Sequence, residues 1–349
     1  MGEIIHTRLQ LIRDNLCMAN WIKLKRKLER ADRDEPRFHV QLFGNRGMYP
    51  RGTFRLSGAL FHADHDIAFA VTHGCGWSAR EQNLPYSEVD WLSPEVVRLL
   101  GAFMMCEESD GIRSRFYPVP NAGFVLDEDA FDFAAPGTAL AVKAALLRTV
   151  DNRLWRWRKN TVSTCGRHEN LFDASHLDLA CLPRYWGGID IGAYVLVRAI
   201  QALVKADMLA QYSEFREEAT IAAFIAMDAS HELVLRHLRA TGINNPSSLH
   251  AGEWLYRTFD EPVGVHGAAG MKYFEDFYAQ RVQTVHPGSR FGDVPFAPVM
   301  ADDYIHLRYA IPEILGYLVI GEHKPDHLRR VQEHQDWLSG KHPLPDRCS

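Results

Sequence analysis

The chain reads as an α+β protein. A small N-terminal mixed, β-rich domain over residues 1–135 precedes an antiparallel helical bundle over 136–349, whose last residues form a polar, charged tail. Three observations predict this. Runs of strand composition cluster early, at Phe38–Phe43, Thr53–Phe61 and Ile67–Val71. From residue 190 onward, apolar residues recur every three or four positions in segment after segment, with short connections between them. Pro136 and Gly137 punctuate the chain where one pattern gives way to the other.

The elements follow in order. Residues 3–30 have helical spacing through Ile5, Leu9, Ile12 and Leu16, and end in a basic cluster from Lys23 to Arg30. Those cations suit either a solvated helix end or a phosphate-contacting arm. The three strand-like runs are separated by Gly44, Asn45, Gly47 and Pro50, then by His62–Asp66. A helix is expected over 93–106, with short strands over 113–133. Beyond Pro136 a helix runs through Ala141, Leu146 and Leu147 into Leu154-Trp-Arg-Trp-Arg-Lys159. Interleaved Trp and Arg can stack on a single strand, although tryptophan on a helix usually faces a core. Residues 160–190 read as irregular. Helices are then expected near 191–212, 214–241, 247–258, 269–285 and 302–321.

The totals narrow the function classes. Across 349 residues, 46% are hydrophobic and 24% charged, the balance of a soluble globular protein. A formal charge of -5 argues against coating nucleic acid by charge alone, while a local basic patch remains open. No apolar run is long enough for a membrane span. The N-terminus has no signal-peptide core, and six scattered cysteines form no framework, so the expected location is the cytoplasm. There is no phosphate loop, dinucleotide fingerprint or nucleophile elbow.

Polar residues on apolar stripes mark the candidate site. On the 191–212 helix, Asp207 shares a face with Leu196, Val197, Ile200, Leu203 and Val204, where a carboxylate needs a partner. On the 269–285 helix, Arg281 flanks a stripe of Met271, Phe274, Tyr278, Val282 and Val285. A structural Arg281–Asp207 ion pair is one reading. In the other, Arg281 offers a bidentate fork to phosphate. His286 precedes Pro287 and so ends the helix, as a cap or as an imidazole able to move a 2′-hydroxyl proton of RNA.

Arg281 and His286 have an R-x4-H spacing inside an aromatic helix that runs into Val-His-Pro-Gly-Ser-Arg-Phe-Gly292, followed by Ala301-Asp-Asp-Tyr opening a last helix. This resembles the signature of HEPN-type helical domains, over roughly residues 190–321. Ala222–Glu232 looks like the earlier helix of such bundles, which often carries an inward acid. The resemblance implies metal-independent RNA cleavage at a homodimer interface, with no cofactor. Arg281 would hold the phosphate and His286 would serve as general base or acid. Asp207, Tyr278, Ser289 and Arg290 make up the expected binding surround. Val282 stands where active members place Asn, Asp or His, so a non-catalytic binding or dimerisation module is the alternative.

Other constellations compete. His62, Asp64, His65 and Asp66 on a turn could bind a metal and make a hydrolase, or form a polar hairpin loop. Cys165, His168, His176 and Cys181 could hold a structural zinc, at a spacing unlike a standard finger. Asp-Ala-Ser-His occurs at 173–176 and 228–231, a repetition best read as coincidence. Asp228 and Glu232 share a face with Ile221 and Ile225 and are expected to be buried.

Overall fold

The computed structural model describes residues 37–73, 92–109, 111–127, 133, 135–149, 168–265, 270–285 and 301–341. The expected first helix with its basic end, the Leu154–Lys159 segment, Cys165, His286, Ser289 and Arg290 lie outside the described residues.

The N-terminal region is a five-stranded antiparallel sheet. Its strands are β1 (Arg37–Phe43), β3 (Gly52–Leu56), β4 (Ala59–Ala63), β5 (Ala68–His73) and β6 (Pro118–Asp127), in the order β3-β4-β5-β1-β6. The run expected as one strand over Thr53–Phe61 is a hairpin instead. Gly58 turns the chain at φ 78, a conformation glycine adopts without a Cβ penalty. Two residues expected in the next gap, His62 and Ala63, complete the ladder opposite Thr53 and Gly52. The short strands expected over 113–133 merge into β6. Its prolines are tolerated because β6 is an edge strand, where a missing N–H need not break a ladder. A second, two-residue parallel pairing joins β2 (Tyr49–Pro50) to β7 (Leu171–Phe172).

The pleat sorts the side chains into two cores. On one face Phe38, Val40, Leu42, Leu60, Phe69 and Val71 pack with Ala139, Val142 and Leu146 of α2 (Thr138–Thr149). On the other, Phe43, Phe61, Ala68 and Ala70 meet α1 (Pro94–Met105) and the bundle. Helix α1 starts where expected because the Ser93 side chain accepts from Val96 N and Pro94 sits in the first turn. Its Phe103 ring lies 5.1 Å from Phe61, within a group of rings that also includes Phe43, Tyr49 and Phe116. The sheet is therefore a middle layer, with α2 behind it and α1 with the bundle in front.

The bundle contains α3 (Leu182–Gly188), α4 (Tyr194–Leu209), α5 (Arg216–Ala240), α6 (Ser248–Leu255), α7 (Tyr273–Val285), α8 (Ala301–Ile320) and α9 (Pro325–Leu338). A π turn over Tyr256–Asp260 continues α6. Helix α5 packs against α4, α7 and α8, while α1 packs against α3, α4 and α8. Helices α3 and α9 fall where irregular chain and a polar tail were expected. The boundary expected at 135/136 lies in the turn before α2, yet one hydrophobic cluster runs on from Phe43 and Phe61 to Leu203, Phe224 and Leu315. Cys106 and Cys181 are free, buried thiols. Among the described residues, no helix is long and apolar enough to cross a membrane.

Candidate functional site

Helix α7 rolls outward along its length. Phe274 is buried, Tyr278 one turn later is 54% exposed, and the Arg281 side chain is 37% exposed. The three share a stripe at offsets of four and three residues. Arg281 Nε lies 3.2 Å from Asp228 Oδ2 of α5, and the guanidinium carbon is 5.7 Å from the Tyr278 ring centre.

Asp228 is half-buried. Burial raises its carboxyl above the ordinary value, against the pull of Arg281 and His231. One turn along α5, His231 packs its ring 4.8 Å from Phe274, with Nε2 buried and unpartnered. Burial lowers its imidazole, opposed by Asp228 and Glu232. The Glu232 side chain is 39% exposed, beside 38% for Asp228, so neither acid is fully buried as their shared face implied. Glu232 accepts from Arg236 at 2.8 Å and lies 3.5 Å from Arg239, which hold its carboxyl low.

Asp207 is fully buried, as its apolar stripe implies, but its partner is not Arg281. Arg308 of α8 donates Nε to both Asp207 oxygens, at 2.9 and 3.0 Å, and both Nη groups to Glu107 at 2.9 Å each. Tyr304 Oη donates to Asp207 at 2.7 Å, and Arg308 Nη2 also reaches Ser114 O at 2.7 Å. Burial works against the charge on Arg308, and the two carboxylates overcome it, holding the guanidinium well above its ordinary value. Burial also raises Asp207, against the pull of Arg308 and Tyr304. The charged Nε–H shared between both oxygens and the Tyr304 hydroxyl favour the carboxylate form. Arg308 was findable in the sequence: it falls beside Leu307, Ile311 and Leu315 on the buried face of α8.

The His62–Asp66 group is bound up within the protein. Asp64 Oδ1 accepts from the Asp66 and Ile67 backbone, and Oδ2 from Lys143 and His62. Burial would raise Asp64, but Lys143 and these hydrogen bonds bring it down to about 2. His62 Nδ1 pairs with Thr53 at 2.8 Å, and His65 Nδ1 with His168 O at 3.0 Å. Each ligand candidate thus has its own protein partner. The zinc-like set divides likewise. His168 packs against Tyr49 and burial lowers it to about 4, Cys181 donates to Asp178, and His176 sets its ring 6.4 Å from that of Phe172. Among the described residues, no group of three or more His, Cys, Asp or Glu side chains is placed to hold a metal ion.

Comparison with known proteins finds no family model, no curated protein and no solved structure that matches this chain.

Proposed function

We propose that the α5–α7 face binds an RNA phosphate through Arg281 and that the protein is a metal-independent endoribonuclease acting as a homodimer. One observation carries the reading. Asp207 is saturated by Arg308 and Tyr304, so Arg281 is released from the buried network and stands at the solvent boundary. A guanidinium has five N–H donors, and one carboxylate cannot use them all. Asp228 beside Nε leaves the fork able to receive phosphate oxygens.

His286 follows directly on the last residue of α7 and enters from the sequence alone. In this mechanism its neutral imidazole takes the 2′-hydroxyl proton and the 2′-oxygen attacks phosphorus. The bond to the 5′-oxygen breaks as water protonates that oxygen, leaving a 2′,3′-cyclic phosphate and a 5′-hydroxyl, and the imidazolium returns its proton to solvent. Arg281 stabilises the charge that builds on the phosphoryl oxygens.

A second reading, a non-catalytic binding module, is favoured by Asp228, because an acid already beside Arg281 competes with phosphate. A fluorescent RNA oligomer assayed in EDTA separates the two. The first reading expects cleavage that R281A and H286A each abolish, with helical circular dichroism unchanged. Cleavage retained in both variants overturns it. RNA binding without cleavage, lost in R281A, establishes the second.

A further inference from the structure

Helix α9 is held at its start by an unusual cluster. His323 and His327 stack with ring centres 4.1 Å apart and planes at 15°. Around them stand Tyr317 of α8, 4.8 Å from His323, and Phe259 of the π turn, 5.3 Å from His323 and 5.8 Å from His327. His323 Nδ1 and His327 Nε2 are buried and unpartnered. Rings stacked in parallel aim their nitrogens along their own planes, so they do not converge on one metal ion.

The charged groups facing the stack come from every neighbouring element. Glu313 of α8 lies 3.4 Å from His327 Nδ1, which also faces Arg330 Nη2 at 3.3 Å. Asp260 of the π turn interacts with Glu313, Arg330 and His327. Lys324 is buried alongside and donates to Glu107 O at 2.8 Å, while Asp326 accepts from Ser109 N at 2.9 Å. Glu322 and Glu313 line a cavity of about 10 Å³ with His323 and Lys324, room for roughly one water. Further along α9, His334 lies under Gly264, where a Cβ would fall 2.2 Å from the ring.

We propose that α9 is a latch released by acid: protonation of His323, in its stack with His327, lifts the helix off the turn at 256–265. A charge on His323 faces the His327 ring across 4.1 Å, and a protonated His323 would carry an N–H at its buried Nδ1, which has no protein acceptor. Opening gives both rings to water and unties Asp326 from Ser109 and Lys324 from Glu107. Burial lowers His323 from 6.5 to about 4 in the closed form. The open form therefore binds the proton more tightly, and closure weakens as pH falls from the ordinary histidine value toward that lower one.

Hydrogen exchange by mass spectrometry on the full chain tests this. Corrected for intrinsic rates and for the change in global stability read from peptides over 196–204, opening of 325–338 rises roughly tenfold between pH 7 and pH 5, after discounting for the partly buried ring. His323→Phe keeps the ring contacts and removes the titration, so its exchange is expected to be flat over that range. Flat exchange in the unaltered protein, or an undiminished rise in H323F, overturns the latch. NMR of the His323 imidazole in the unaltered protein gives a readout that needs no variant. The latch requires a midpoint well below that of free histidine, and a midpoint at or above it overturns the proposal.

Discussion

Asp207 and Arg281 are charged side chains of one bundle held in opposite ways, the first sealed in its core and the second at its edge. Asp207 sits with no exposure inside a network that fixes α4, α8 and the turn after α1. Asp207→Ala would leave Arg308 buried with Glu107 as its remaining carboxylate, and is expected to cost about 3–5 kcal/mol in urea unfolding. A loss below 1 kcal/mol would mean the network is dispensable. Arg281→Ala should cost under about 1 kcal/mol, because its pair with Asp228 is more than a third exposed. That contrast makes Arg281 a usable probe: lost RNA cleavage in a variant of unchanged stability points to the chemistry. The apolar stripe revealed that Asp207 needs a partner. It could not name the partner, because Arg308 is about a hundred residues away and pairing distance is a property of the packed bundle.

At the scale of elements, the helices with aliphatic stripes were legible and those built otherwise were not. Helix α4 shows its face through Leu196, Ile200 and Leu203, and the expected bounds of 191–212 are close to Tyr194–Leu209. Helix α9 has the same spacing, but its inward positions are His327, Arg330, Val331 and His334, so it reads as a charged tail. Helix α3 is only seven residues long and ends on two glycines, too brief for a periodic signal. Glycine also sets how α7 is seated. A Cβ on Gly252 of α6 would fall 1.8 Å from Met271 O, in the turn that leads into α7. Because the obstacle is backbone, Gly252→Ala must push that turn away. The expected loss is about 1–3 kcal/mol in thermal or urea unfolding, with exchange raised over 273–285. An unchanged midpoint would show that the contact yields freely.

For the molecule as a whole, acid should destabilise the fold well before the carboxylates titrate. His168 joins the bundle-side segment to the sheet: its backbone N donates to His65 O, and its ring packs edge-on to Tyr49 at 5.6 Å. Burial brings its imidazole down to about 4, so the unfolded chain binds the proton more tightly over the range between. A histidine lowered in the folded state contributes stability that is lost as pH falls through that interval, here about 2 kcal/mol by pH 5 relative to pH 7. Asp228 and Asp260 are raised and act with the opposite sign. Asp64, held down to about 2, matters only at lower pH. His168→Phe should keep the edge contact with Tyr49 and leave no buried nitrogen unpartnered. Urea midpoints are therefore expected to fall on acidification in the unaltered protein and to fall less in H168F. Equal slopes in the two proteins would assign the acid sensitivity elsewhere in the fold.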